Sequence, residues 1–194
     1  HAYNRLDIAG NELSDFMVRL CKGDVSSRMY RQACTNIKEN FCFVAPDNER
    51  EIQTEEDHFY KLPDGEVIRI SGEACVNCPE ALFNPNLYGK EMEGIHKLAN
   101  RSITRCEIDI INELYGNIVL SGGCSLFPGL SERLKKEIQC LAPEAKVRII
   151  SPPERIWAPW IGGSILTSLN GMRNKWLTKD EYDERGPSAV HAIY

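Results

Sequence analysis

A few groupings in this chain have residue types and spacings that could do chemistry. Cys75-Val76-Asn77-Cys78 is the one cysteine pair at ligand or redox spacing. A structural zinc site needs four ligands, and no second Cys-x-x-Cys or His-x3-His follows. A dithiol redox site needs the pair at a strand-to-helix junction, and Pro79-Glu80 could open such a helix. The other cysteines, at positions 21, 34, 42, 106, 124 and 140, are scattered and several lie in apolar surroundings, the pattern of reduced, buried thiols. Gly122-Gly123 follows the apolar run of Asn117 to Leu120. It reads equally as a tight turn or as bare backbone that admits a ligand at the carboxyl end of a strand, where α/β sheets place theirs. There is no G-x-x-x-x-G-K-[ST] and no G-x-G-x-x-G, so neither phosphate-loop nor dinucleotide fingerprint is present. Lys38-Glu39 reads from its spacing as a solvated helix face. Gly162-Gly163, in "WAPWIGGSILTSL", reads as close helix packing under Trp157 and Trp160. The Asn100-Arg101-Ser102 sequon matters only in a secreted chain.

The elements that must position these groups follow from periodicity. Leu6 and Ile8 alternate with Arg5 and Asp7 as in a strand. From Gly10, the residues Leu13, Phe16, Met17 and Leu20 recur at helical spacing, with Asn11 or Ser14 able to cap. Ser26 or Ser27 caps a second helix whose inner face is Tyr30, Cys34, Ile37 and Phe41, with Lys38 and Glu39 off it, running to Ala45-Pro46. Residues 48–57 are acidic and polar, a loop. "FYKLPDGEVIRIS" is a hairpin turning at Pro63-Asp64-Gly65. Residues 84–94 are loop, and 94–105 and 107–115 are short helices. A strand through Leu120, a helix over 130–141 and a strand over 147–150 make a βαβ unit, hence an α/β fold. Thr178 caps a last short helix, stopped by Gly186-Pro187.

Length and charge bound the function. With 194 residues the chain is long enough for a core, and a net charge of −5 provides no basic field for phosphate backbones, so nucleic acid is a poor partner. No apolar run is long enough for a membrane span and the first residues lack a signal-peptide pattern, so cytosol or nucleus is expected and a membrane is not. The sequence opens on His1 in what reads as ordered structure, as a piece of a longer protein would.

Taken in order, "RLDIAG", "LPDGEVIRI", "CPEALFNP", "GIHKLANRSI", "NIVLSGGCSLFPGL", "EIQCLAPEAKVRIISPPER", "WIGGSILTSL" and "EYDERGPSAVH" closely resemble the carboxyl-terminal half of actin. The likeness runs from His1 to Tyr194, with shortening around Lys22 to Arg31 and Glu51 to Tyr60. It implies a two-lobed, ribonuclease-H-like α/β ATPase fold, of which this chain would be the C-terminal lobe plus closing helices of the first. Residues 1–9 would be the entry strand of the third subdomain, 10–95 mostly the fourth with a return into the third, 96–156 the third, and 157–194 the closing helices of the first.

The resemblance also implies ATP or ADP with Mg2+ or Ca2+ in the interlobe cleft. Gly10 would lie beside the adenosine, Lys38 and Glu39 at base and ribose, Gly122 and Gly123 against the nucleotide, and Leu126 and Phe127 would wall the adenine. No catalytic residue is assigned, because the family's phosphate loops and water-positioning residues belong to a half not represented here. This segment alone is therefore not expected to hydrolyse ATP. Implied partners are other actin subunits, through Glu107 to Ile111 among others, and actin-binding proteins at a cleft near Leu166 and Leu169, in cytoplasm and cytoskeleton, with the nucleus possible. A scaffold subunit of a larger complex is the alternative. Departures from the family's usual residues are Ile156 for a lysine, Phe127 for a tyrosine, Lys90 in an apolar loop tip, Lys175 for an apolar residue and Ile193 for a cysteine.

Overall fold

The computed structural model describes residues 2–22, 27–46 and 56–192. The chain divides between Ile156 and Trp157 into two compact units.

The first unit is mixed α/β. Its helices are α1 (Gly10–Leu20), α2 (Arg28–Phe41), α3 (Gly72–Glu80), α4 (Ile95–Thr104), α5 (Ile111–Tyr115) and α6 (Leu130–Leu141). Strands β1 (His58–Lys61) and β2 (Val67–Ile70) pair antiparallel with His58 opposite Ile70, the expected hairpin. Strands β3 (Ile118–Val119) and β4 (Ile149–Ile150) pair parallel across α6, which gives the expected βαβ unit in a short form. One face of α1 (Leu13, Phe16, Met17) meets Cys34 and Ile37 of α2, Ile70, and Cys75 and Cys78 of α3 in a continuous core. Burying side chains of this size contributes about 1.5–3 kcal/mol each, which sets α1, α2 and α6 as the frame for everything they carry.

Several local expectations change. Residues 2–9 form no strand ladder. α1 has no side-chain cap: Glu12 reaches back instead and accepts from the Ala9 amide at 3.0 Å. Ser27 caps α2, accepting from Tyr30 N at 3.3 Å. That helix stops at Phe41 rather than near Pro46, because the chain turns extended at Cys42 and Val44 N donates to Pro128 O at 2.8 Å. The polar loop over 48–57 lies mostly outside the described residues. Cys75 and Cys78 sit inside α3, a helix the periodicity did not show, started by Ser71 and carrying Pro79 in its last turn. They are not at a strand-to-helix junction, so the redox-motif geometry is absent. The helix over 107–115 shrinks to α5.

In the second unit, α7 (Ala158–Ser168) is followed by a 3-10 segment (Asn170–Lys175), α8 (Lys179–Arg185) and a 3-10 segment (Gly186–Ala192). Thr178 caps α8 as expected, in a reciprocal box with Glu181. Gly162 and Gly163 fall in the interior of α7, and no atom lies within 4 Å of where a Cβ would stand on either, while Trp157 and Trp160 are exposed. Close packing under the tryptophans is therefore not what this helix shows.

Candidate functional site

A cavity of about 400 Å³ opens where the start of α1, the end of α2 and the turn after β3 converge. Gly10, Lys38, Glu39, Gly123, Cys124, Leu126, Phe127 and Ile156 line it.

Each wall has a local cause. Lys38 lies one helical turn beyond Cys34, so it shares the inner face of α2 and is buried, not off that face. Its ammonium is satisfied by Gly10 O at 2.8 Å and Ser14 Oγ at 3.0 Å. A buried charge needs such partners, and here they tie α2 to the first turn of α1. The amine thus closes the floor of the cavity more than it projects into it. Glu39, next along the helix, is exposed and lines the cavity at its rim.

The other wall is the turn Gly122–Leu126. Gly122 has φ +88°, a left-handed conformation that suits glycine. Its N–H donates to Arg155 O at 3.0 Å, and its carbonyl accepts from Ser125 N at 3.1 Å and Ser125 Oγ at 2.6 Å. Gly122 does not line the cavity; it fixes the turn that does. The Arg155 side chain returns the link through Nε to Ser125 O at 3.1 Å, and these bonds set Ile156 beside the turn. Phe127 is buried with one side on the cavity, whereas Leu126 is partly exposed.

Of the seven positions named from the sequence, six meet in this one cavity and Gly122 supports it from behind. Sequence reasoning passed over Cys124 as a lining residue, although it directly follows Gly123. Its thiol is pushed up by burial, against the pull of the Lys38 charge, so it faces the cavity as a neutral SH. Nothing lies within 4 Å of a Cβ built on Gly123, and one built on Gly10 would meet only Cys124 Sγ and Lys38 Nζ, each at 3.6 Å. Side chains there would occupy cavity volume rather than clash with the protein.

The lining combines an apolar wall, one free carboxylate and bare backbone, which suits a flat apolar ring carrying hydroxyl donors better than an anion. Among the described residues no cluster of three or more His, Cys, Asp or Glu side chains is arranged to hold a metal ion, and no helix is long and apolar enough to cross a membrane. The actin family model matches residues 23–193. With a mixed α/β structure and a family match over most of its length, the chain belongs to the actin family.

Proposed function

We propose that this chain is the nucleoside-gripping portion of an ATP-binding, actin-like filament subunit of the cytoskeleton, corresponding to its C-terminal lobe and the closing helices of the first. The observation that carries the reading is the convergence of Gly10, Lys38, Glu39, Gly123, Leu126 and Phe127 on one cavity. In this reading Phe127, Leu126 and Ile156 give the base an apolar face. Glu39 accepts from the ribose hydroxyls. Lys38 keeps the Gly10 carbonyl and the start of α1 in place rather than neutralising phosphate, and Gly123 leaves room for close approach.

When bound, ATP supplies the phosphoryl group that the family hydrolyses. No segment here matches the family's phosphate-binding loops, and the acidic side chains present do not form a metal cluster among the described residues. The nucleoside therefore fits these residues, whereas the divalent cation does not find its ligands among them. Adenosine and ATP should accordingly bind this chain with affinities within about tenfold of one another, since the phosphates gain little. A hydrogen bond to a charged group contributes about 1.5–3 kcal/mol, and at an exposed rim the lower end applies, so Glu39→Gln should weaken both ligands by about tenfold. Titration of a fluorescent adenosine derivative, with competition by adenosine and ATP, measures this. Equal affinity of wild type, Glu39→Gln and Phe127→Ala would rule the cavity out as the site.

A second reading, a scaffold subunit of a larger assembly, draws on one specific feature. Lys90, in the loop tip that resembles the family's cross-strand contact, donates to Asp7 O at 2.5 Å and lies 5.8 Å from the Tyr88 ring centroid. Tyr88 is itself held by Phe16 edge-to-face at 5.7 Å and by Arg19 at 4.7 Å. A loop engaged with its own unit is poorly placed to bridge filament strands. Sedimentation of the protein in ATP and magnesium separates the two: pelleting supports the filament subunit, and a soluble single copy in a heteromeric complex supports the scaffold. Leu166 and Leu169, both exposed, are the positions proposed for actin-binding partners.

A further inference from the structure

The polar groups around the nucleoside cavity differ in whether they are already spent. The Lys38 ammonium donates to Gly10 O and Ser14 Oγ, and the Ser14 hydroxyl in turn donates to Gly10 O at 2.9 Å. Behind the other wall, the Ser125 hydroxyl is turned onto Gly122 O at 2.6 Å. The Arg155 guanidinium is divided among Ser125 O at 3.1 Å, Ser151 O at 3.4 Å and Pro152 O at 3.0 Å. Among the described residues, two lining side chains keep hydrogen-bonding capacity that the protein does not use: the Glu39 carboxylate at the rim and the Cys124 thiol.

Given the nucleoside site proposed above, we infer that the cavity selects a purine ribonucleoside by the size of its ring and by its sugar hydroxyls, and takes 6-amino and 6-oxo purines alike.

Selection at the base edge needs a fixed hydrogen-bonding partner of one kind. A pocket built around such a partner rejects an analogue without the matching group by orders of magnitude, because its own buried group is then left unpaired. The side chains here offer the base no partner of that kind. A thiol is a weak donor and a weak acceptor, so Cys124 gives little to an amino group and little to a carbonyl. Burial keeps that thiol neutral despite the nearby Lys38 charge, so it does not become a strong acceptor. Lys38 has one proton beyond its two bonds, and what that proton could meet, a ring nitrogen, is common to purines. Phe127, Leu126 and Ile156 contribute apolar surface, which responds to the area of a ring and not to whether its 6-substituent donates or accepts.

The sugar is treated differently. Glu39 is exposed, and its ionised carboxylate only accepts, through two oxygens that suit two neighbouring hydroxyls. An apolar ring against buried Phe127 leaves the hydroxyls on the watered side of the cavity, where Glu39 stands. One carboxylate at the rim thus discriminates on the sugar, while the inner wall discriminates only on size.

The test is titration calorimetry of the full chain with adenosine, inosine and purine riboside, which share ring size and sugar and differ at the 6-position, and with 2′,3′-dideoxyadenosine, which lacks both hydroxyls. The three ribonucleosides should bind within about fivefold of one another, and dideoxyadenosine should be weaker than adenosine by about tenfold or more. In Glu39→Gln, a change at an exposed position that leaves the core alone, adenosine should weaken by about tenfold while dideoxyadenosine stays the same, because the hydroxyls and the carboxylate act as one pair. A larger preference for adenosine over inosine or purine riboside would mean that backbone of the Gly123 turn reads the 6-position, and would overturn the inference. Dideoxyadenosine binding as well as adenosine, or weakening as much as adenosine in Glu39→Gln, would overturn it too. No binding of adenosine at all is a different failure: it removes the nucleoside site itself, and this inference with it.

Discussion

The same dipeptide, Gly-Gly, occurs in two apolar settings and does two different things. Gly122-Gly123 leaves a strand through a left-handed residue, and the chain after it is fastened at many points. Gly162-Gly163 lies inside a helix none of whose side chains is buried. The flanking residues decide. Before the first pair, Ile118 and Val119 favour extended chain and pair with β4. Before the second, Pro159 stands in the first turn of α7, where its fixed φ suits a helix and its missing N–H costs nothing. A glycine pair thus has no meaning of its own; what precedes it selects turn or helix, and what packs behind it determines how much a change there matters.

The most disruptive way to test that difference is to unfasten the first region. Arg133 of α6 is buried, forks onto both Glu80 oxygens at 3.1 Å, donates to Ala45 O at 2.9 Å and to Glu137 at 2.7 Å, and lies 5.0 Å from the Phe83 ring centroid. Removing one partner of such a pair costs about 3–5 kcal/mol because the other charge stays buried. Arg133→Met should show that loss in urea unfolding. Burial already raises Glu80, with Arg133 pulling it back. Without the arginine, the folded carboxyl binds its proton more tightly than the unfolded one. The variant should therefore regain stability as pH falls towards 4.5, the ordinary glutamate value. A loss below 1 kcal/mol, about the net worth of a neutral hydrogen bond, would mean the region is held by packing alone.

Gly129 sharpens the comparison at a single atom. Its φ is +80°, and a Cβ there would stand 2.2 Å from Val44 O. Left-handed strain alone is about 1–2 kcal/mol, and the overlap with fixed backbone adds to it. Gly129→Ala should destabilise by about 2 kcal/mol or more, read as a lowered Tm.

How much of this was legible follows the same division. The hairpin, α6 and the βαβ order were readable because periodicity and turn residues agree there. α3 was not, because "GEACVNCPE" has little amphipathic contrast and ends in a proline, although Ser71 is a serviceable cap. Five cavity residues were legible only through the resemblance, and Gly123 also, as one of two readings, from its place after a strand; periodicity placed Lys38 on the wrong face, since a lysine on the inner side of a helix is expected only where polar partners await it. Those partners, Gly10 O and Ser14 Oγ, lie 28 and 24 residues away along the chain, beyond the reach of local pattern.

A smaller effect is expected from His96, stacked on Phe83 at 5.8 Å between centroids, with Nδ1 buried and unpaired among the described residues. Burial holds its pKa below the ordinary value of 6.5. The folded state then disfavours the imidazolium, so its contribution to stability is present above 6.5 and is lost as pH falls from there through the depressed folded value. Unfolding midpoints measured from pH 7.5 to 5 should decline, and His96→Gln should flatten that decline. An equal slope in the variant would assign the pH dependence elsewhere.

The smallest change should carry the opposite sign. Gly162→Ala puts a methyl group where nothing lies within 4 Å, at a helical position without positive φ. Alanine is better than glycine in a helix interior by about 0.8–1 kcal/mol, because glycine leaves more backbone freedom to lose. Amide exchange across α7 should therefore slow by up to about fivefold. At Gly122 the same substitution meets no atom either, yet φ +88° with ψ 167°, a conformation almost confined to glycine, makes it costly by about 1–3 kcal/mol. Opposite signs from one substitution at two equally uncrowded glycines would isolate backbone conformation from packing, and matching signs would show that the surroundings of α7 constrain Gly162 in a way its own helix does not.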